Sequence, residues 1–164
     1  HSGIEIIKTL SNILHVDLFS RTPNGSTAFH LAALCRPFNL LWLHDKNAGR
    51  VPQLYDAQNR SILQYMYISP LSGVSINGIK GDADRTQVME HLFSAEDIAH
   101  VDHNNTNILH SIIGNGYFLS MINVYLNYKY EFLRLIMKNN TFNRTPLDEA
   151  FYNLPNDNFV IKRP

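Results

Sequence analysis

The sequence predicts an all-α protein in which antiparallel helix pairs stack side by side and short β-turn hairpins join one pair to the next. Two observations support this fold class. A pattern of turn residue, helix-capping residue, apolar pair and helix-forming run occurs four times along the chain. Hydrophobic residues make up 45% of the 164 residues, which is enough to bury one continuous core. We therefore expect a single domain over residues 1–164.

Each copy of the pattern is centred on a polar anchor residue near the start of a predicted helix. The anchors are His30, Gln64, His110 and Asp148. Five residues before each anchor stands a glycine or an asparagine, the residue types that best accept the left-handed backbone of a tight turn. These are Gly25, Asn59, Asn105 and Asn143. Three residues before each anchor stands a residue whose side-chain oxygen can cap a helix start. These are Thr27, Ser61, Asn107 and Thr145.

The anchors divide the chain into unequal repeats. We predict a partial repeat over residues 3–17, followed by repeats over about residues 18–51, 52–97, 98–135 and 136–164. The second repeat is the longest, and its excess falls at about residues 71–85, where glycine and turn-forming residues are frequent. We expect an inserted loop or small hairpin there. The third repeat is also extended, and a second helix lengthened through residues 128–137 would account for it.

The pattern resembles the ankyrin repeat, whose signature is Thr-Pro-Leu-His at the start of the first of two helices. The stretches Thr27-Ala28-Phe29-His30 and Thr145-Pro146-Leu147-Asp148 match it best. This resemblance implies an ankyrin-repeat solenoid that binds another protein on its concave face. Degenerate repeats rich in Asn, Ile, Lys and Tyr are also similar to those of effector proteins that intracellular bacteria deliver into host cells, which would make the partner a host protein.

Composition excludes several other classes of protein. The formal net charge is zero, so nothing favours binding to nucleic acid or to an anionic membrane surface. Cys35 is the only cysteine, so an internal disulfide is impossible and a reducing, cytoplasmic setting is expected. Charged residues and asparagines interrupt the most apolar stretch, residues 117–137, which therefore predicts no membrane insertion. We expect a monomer.

The candidates for chemistry are few. Cys35 and His30 are the only pair that resembles a nucleophile and its base, but they lie five apart on one predicted helix and point in different directions. His91, His100 and His103 match no familiar zinc-ligand spacing. We therefore predict no catalytic residue, no metal site and no cofactor. A Cys35-dependent hydrolase remains an alternative, as does an intramolecular scaffold that docks a catalytic domain of the same longer chain.

The partner-binding residues are expected on the hairpin tips and on the exposed side of the first helix of each repeat. Aromatic residues and arginines receive most weight because they dominate interface energetics. Three arginines among them favour an acidic partner segment. The predicted binding residues are Arg21, Asn24, Tyr55, Gln58, Arg60, His103, Asn104, Phe142, Arg144 and Tyr152.

Overall fold

The computed structural model describes residues 5, 8, 9, 17–71 and 76–153. Over these residues the protein is helical, and the only β-type pairings are two isolated antiparallel bridges, Tyr55–Ser61 and Val101–Asn107. The all-α prediction is confirmed at this level. The helices are α1 (Ala28–Cys35), α2 (Asn39–Lys46), α3 (Ile62–Met66), α4 (Ile76–Leu92), α5 (Ala95–Ala99), α6 (Ile108–Gly114), α7 (Phe118–Asn127), α8 (Lys129–Leu135) and α9 (Pro146–Tyr152). Almost all of the predicted partial repeat 3–17 lies outside the described residues, and the repeat boundaries remain predictions.

The four predicted turn residues all adopt the left-handed backbone. Their φ angles are +81° at Gly25, +59° at Asn59, +54° at Asn105 and +58° at Asn143. Each donates its backbone N–H to the carbonyl three residues earlier, as in Gly25 to Thr22 at 2.8 Å. Glycine and asparagine are the residues that reach this conformation at the lowest cost, so the turn prediction is confirmed.

The predicted caps are also confirmed, and each anchor side chain completes its cap. The anchor accepts the backbone N–H of the cap residue, so both ends of the turn-to-helix junction are satisfied. The four contacts are Thr27 N to His30 Nδ1 at 3.1 Å, Ser61 N to Gln64 Oε1 at 3.0 Å, Asn107 N to His110 Nδ1 at 3.1 Å and Thr145 N to Asp148 Oδ2 at 3.0 Å.

Consecutive capped helices pack against each other to form the core. Helix α1 packs against α3, α3 against α6, and α6 against α9. The apolar residue just before the anchor is buried in the first three copies, at Phe29, Leu63 and Leu109, whereas Leu147 of the last copy is 57% exposed. The core therefore extends along the row of capped helices. Because each turn directly precedes one of these helices, the turns are also arranged in a row.

The inserted segment is a helix and not the predicted loop. Helix α4 covers Ile76–Leu92 and so takes up most of the predicted loop at residues 71–85. Gly78 and Gly81 each cost about 1 kcal/mol in a helix interior. Tertiary contacts offset that cost. Val88 and Met89 are fully buried, and Arg85 Nε donates to the Met66 carbonyl at 2.7 Å.

The extended third repeat also differs from expectation. The expected lengthened helix is broken at Tyr128, whose backbone angles are φ −134° and ψ 47°, between α7 and α8. The Tyr128 hydroxyl donates to the Phe93 carbonyl at 3.1 Å, which holds the break against the end of α4. Helix α8 packs against α5, so the break lets the chain turn back onto the core.

Candidate protein-binding surface

The four turns are joined in a row by backbone hydrogen bonds. At each junction the later turn donates a backbone N–H to a carbonyl of the earlier turn. The donor always has the same position relative to its anchor residue, and so does the acceptor. The bonds are Ala57 N to Asn24 O at 2.9 Å, His103 N to Gln58 O at 3.0 Å and Thr141 N to Asn104 O at 2.8 Å. This ladder fixes the spacing of the turn tips, so their side chains form a pre-organised surface.

A side-chain oxygen inside each of the last three turns makes that turn rigid. Asp56 Oδ1 accepts the backbone N–H groups of Gln58 and Arg60 at 2.9 and 2.8 Å. Asp102 and Asn140 do the same for their own turns. A side chain that holds its own backbone in this way is the usual role of Asp and Asn in turns. Asp56, Asp102 and Asn140 are buried beneath the turn tips, so they stabilise the turns and are not available to a partner.

Some of the predicted binding residues serve the ladder itself. Arg21 Nη1 donates to the carbonyls of Gly25 at 2.7 Å and of Tyr55 at 2.8 Å, and so ties the first turn to the second. The Tyr55 ring stacks on His100 with 4.5 Å between ring centroids. Asn24 Oδ1 accepts from Ser26 N at 3.2 Å within its own turn. These three side chains are already occupied by intramolecular contacts.

Arg60 belongs to a partly buried charge network. Its Nε donates to Asp56 Oδ2 at 2.7 Å, and the Tyr65 hydroxyl donates to the same oxygen at 2.6 Å. Burial is the largest influence on the carboxyl and favours its neutral form, but the hydrogen bonds from Tyr65 and Arg60 outweigh it and hold the pKa of Asp56 below its usual value. Burial, reinforced by the bond to Asp56, raises the pKa of Tyr65.

Arg144 lies between two exposed aromatic rings at the end of the row. Its guanidinium carbon is 3.5 Å from the centroid of Tyr152 and 5.7 Å from that of Phe142. Its Nη1 is also 3.7 Å from Glu149 Oε2. All three predicted arginines thus have internal partners, which removes the charge argument for an acidic partner segment.

The remaining predicted residues are exposed to solvent. The side chains of Gln58, His103 and Asn104 are exposed and make no hydrogen bond with any described part of the chain, although their backbones form the ladder. Phe142 is 62% exposed and Tyr152 is 66% exposed. We call these five residues the turn surface. It combines polar tips with an aromatic end, and aromatic rings contribute strongly to protein interfaces.

The buried anchor histidines are neutral parts of the scaffold. His30 is fully buried and His110 is 3% exposed. In each, Nδ1 accepts a cap N–H, and His110 Nε2 donates to the Arg144 carbonyl of the next turn at 2.9 Å. Gln64 makes the equivalent bond to the Thr106 carbonyl at 2.9 Å. Burial lowers the pKa of both histidines and outweighs the nearby groups that raise it.

This geometry predicts a loss of stability in mild acid. A lowered folded-state pKa means that the unfolded chain binds more protons below about pH 6.5, so the free energy of unfolding falls as the pH drops from that value through the folded-state pKa. A protonated ring also loses the Nδ1 lone pair that accepts the cap N–H. Urea unfolding at pH 7.5 and pH 5.5 measures the effect.

The chain offers its own control for that prediction. Gln64 occupies the anchor position in the second copy and has no titratable group. In the double variant His30→Gln/His110→Gln, we therefore expect the free energy of unfolding to differ much less between pH 7.5 and pH 5.5 than in the wild type. An unchanged pH dependence in this variant would place the effect on other groups and contradict the role of the two anchors.

The geometry does not support catalysis by Cys35. His30 is buried and its Nδ1 is committed to Thr27 N and Thr27 Oγ1, whereas Cys35 is exposed beside the α1–α2 connection. In the part of the chain that the structure describes, no three potential ligand side chains form a group able to hold a metal ion. Within the same residues, no helix has both the length and the apolar character needed to cross a membrane.

One exposed apolar face was missed at the sequence level. On α7 and α8 several apolar residues are exposed, although Val124 and Leu135 are buried in the core, while the polar Ser120 and Asn123 are buried against α4. The exposed members are Phe118, Leu119, Ile122, Tyr125, Leu126, Tyr130 and Leu133. In the sequence, the only indication of this arrangement is that polar residues interrupt the apolar stretch. Their burial could not be predicted, because it depends on Asp82 and Glu90 of α4. This helix face is the second candidate contact region.

Comparison with known proteins finds a likeness in structure but none in sequence. No family model matches the chain, and no curated protein matches its sequence. A chain in the solved complex of a predatory endopeptidase from Bdellovibrio bacteriovorus with an immunity protein is similar in structure, with a TM-score of 0.51 and 13% sequence identity. The match covers 90% of this chain and 84% of that chain.

These findings correct the predicted membership of the ankyrin family, and the bacterial-effector interpretation that accompanied it. No family model supports it, and the structural likeness is to a chain of an endopeptidase–immunity protein complex. The structure also departs from repeated helix pairs, because three helices follow the second turn and three follow the third. Turn and cap residues stabilise the start of a short helix after a tight turn in many unrelated proteins, so they do not by themselves identify a family. At this level of identity the comparison shows a shared fold and nothing more.

Proposed function

We propose that this chain is a non-catalytic protein-binding module that recognises another polypeptide through the turn surface. The observation that carries the proposal is the hydrogen-bonded row of turns, which holds Gln58, His103 and Asn104 exposed, with no hydrogen bond from their side chains to any described residue. A surface whose backbone is already ordered loses little further entropy on binding. The structurally similar chain comes from a complex of an endopeptidase with an immunity protein, and this supports the same class of function.

The turn surface matches a polar partner segment with an apolar or aromatic contact at one end. Amide and imidazole groups can both donate and accept hydrogen bonds. Phe142 and Tyr152 supply ring area, and Arg144 between them holds the rings in place. The net charge of zero and the internal pairing of Arg21, Arg60 and Arg144 give no reason for a strongly charged partner.

Affinity capture from cell lysate with a matched pair of variants tests the proposal. The turn variant is Gln58→Ala/His103→Ala/Asn104→Ala/Phe142→Ala, which removes exposed side chains and leaves the ladder backbone in place. The matched control, Phe118→Ala/Leu126→Ala/Tyr130→Ala/Leu133→Ala, removes exposed side chains from the second candidate region. Arg60 and Arg144 are left unchanged because both have internal partners.

We expect the wild type and the helix-face control to retain the same partner, and the turn variant to lose at least tenfold in affinity for it once it is purified. Side chains that contribute to a hot spot cost more than about 1 kcal/mol each on truncation. Equal circular dichroism and urea unfolding curves for the three proteins ensure that folding is not the cause. A partner lost by the helix-face control and kept by the turn variant would refute the turn surface.

A peptidase is the first partner class to try as a purified protein. The structural neighbour occurs in a complex that contains an endopeptidase, and inhibition would give a direct readout in a cleavage assay. The alternative of an intramolecular scaffold predicts that other domains of a longer chain cover the turn surface. In that case Gln58 and His103 would be protected from solvent in the longer protein and exposed in residues 1–164.

A further inference from the structure

The anchor side chain of one copy also contacts the turn of the next copy. In each of the four turns, one carbonyl accepts the backbone N–H that closes the turn, as Arg144 O does from Asn140 N at 2.9 Å. In two copies the same carbonyl also accepts a bond from the preceding anchor. His110 Nε2 donates to Arg144 O at 2.9 Å, and Gln64 Nε2 donates to Thr106 O at 2.9 Å. These two anchors therefore hold the next turn in its closed form.

The anchor of the first copy makes no such bond. His30 Nε2 is buried and has no hydrogen-bond partner of normal geometry among the described residues. Arg21 joins the first turn to the second by donating to the carbonyls of Gly25 and Tyr55. Of the two anchor histidines, only His110 therefore bonds its ring to the turn of the next copy.

Both ring nitrogens of His110 are committed to backbone groups. Nδ1 accepts the Asn107 N–H at 3.1 Å while Nε2 donates to the Arg144 carbonyl, so only the neutral ring with its proton on Nε2 fits. A second proton on Nδ1 would face the Asn107 N–H. Because the ring is rigid, Nδ1 cannot turn away from that N–H without moving Nε2 off the Arg144 carbonyl. Gln64 makes the two equivalent bonds with an amide, which gains no proton in mild acid.

The groups around His110 oppose each other. Burial is the largest influence on the pKa of His110 and lowers it, whereas the bond to the Arg144 carbonyl and the carboxylates of Glu149 and Asp102 raise it. A ring that rotates out into solvent regains its ordinary pKa of about 6.5. Acid therefore favours the rotated ring over the bonded one. On the helices packed against α6 and in the fourth turn, the other titratable or charged side chains are Tyr65, Tyr125, Arg144, Asp148 and Tyr152.

We infer that His110 is a pH-dependent switch on the fourth turn, and that mild acid releases this turn, with its Phe142, from the end of the row. The bonded form predominates above about pH 6.5. As the pH falls below that value, the proportion of rotated rings rises by up to about tenfold per pH unit, until the pH reaches the lower pKa of the bonded ring. The inference rests on the proposed function for its consequence, which is that a partner held at Phe142 binds more weakly in mild acid.

Hydrogen–deuterium exchange of residues 1–164 at pH 7.5 and pH 5.5, corrected for the intrinsic exchange rate at each pH, tests the switch without a partner. In the wild type we expect the protection of amides in residues 139–145 to fall by up to about tenfold at pH 5.5. His110→Gln keeps both bonds in the way that Gln64 does, and should show no such fall. His30→Gln is the matched control, and its fourth turn should lose protection as the wild type does.

The variant Gln64→His gives the converse test. It places a titratable ring on the Thr106 carbonyl, so residues 101–107 should now lose protection in acid. Urea unfolding at pH 7.5 establishes that each variant is folded. Equal protection of the wild-type fourth turn at the two pH values would overturn the inference. So would a fall that persists in His110→Gln, a fall of the same size throughout α3 and α4, or an unchanged third turn in folded Gln64→His. Each of these results leaves the proposed function to the capture experiment, which is run at pH 7.5 with the switch in its bonded form.

Discussion

Replacing Asp82 with alanine is expected to lower the free energy of unfolding by about 3 kcal/mol. Asp82 is 2% exposed and lies on α4, and its carboxylate caps α7 across the interface between the two helices. It accepts from Leu119 N at 2.8 Å, from Ser120 N at 3.0 Å and from Ser120 Oγ at 2.7 Å. Alanine would leave the N–H groups of Leu119 and Ser120, in the first turn of α7, without their acceptor, and the Ser120 N–H is buried, so its loss of a partner costs most. Urea unfolding followed by circular dichroism measures the loss.

Asp84 supplies the matched control on the same helix. It carries the same charge and is half-buried, but its side chain makes no hydrogen bond with the described part of the chain. We expect Asp84→Ala to change the free energy of unfolding by less than about 0.5 kcal/mol. Equal losses in the two variants would mean that the charge of α4 matters and the cap on α7 does not.

Replacing Gly25 with alanine is expected to cost about 2–3 kcal/mol, the second largest effect. Gly25 has a φ of +81°, and a Cβ placed there would lie 2.8 Å from Ala57 N and 3.3 Å from the carbonyl carbon of Asp56. The left-handed backbone costs a non-glycine residue about 1–2 kcal/mol. Moving Ala57 aside would also break its bond to the Asn24 carbonyl, worth about 1 kcal/mol. Thermal and urea unfolding measure the sum.

Asn105→Ala separates the two causes. Asn105 has a φ of +54° and already carries a Cβ, so alanine there keeps the backbone strain without a new clash. We expect a loss of about 1 kcal/mol for Asn105→Ala, clearly smaller than the loss for Gly25→Ala. If the two variants were equally destabilised, strain alone would explain both, and the close approach of the first and second turns would carry no energetic weight.

The local parts of the fold could be predicted from sequence because they depend on residues a few positions apart. Gly25 and Asn59 mark turns through their own backbone preference, and Ser61 with Gln64 closes a cap over three positions. Helix α4 could not be predicted in the same way. Its glycines favour a loop locally, and the contacts that stabilise the helix come from Met66 and from Ser120, far along the chain.

The exposure of the turn tips could be predicted from the sequence, but the contacts between neighbouring turns could not. The repeat pattern placed Gln58, His103 and Asn104 on turn tips, and the structure finds all three exposed. The repeat pattern could not show that Arg21 would reach the Tyr55 carbonyl or that Arg144 would stack on Tyr152, because both contacts depend on distances in the folded chain. The exposed apolar face of α7 was hidden for a similar reason, since burial of Ser120 depends on Asp82.

Hydrogen–deuterium exchange of residues 1–164, alone and bound to the captured partner, tests the central claim most directly. The account predicts that binding slows exchange in the turns at residues 55–61, 101–107 and 139–145, with little change in α7 and α8. Protection confined to residues 118–135, with the turns exchanging as they do in the free protein, would contradict it and assign recognition to the apolar helix face.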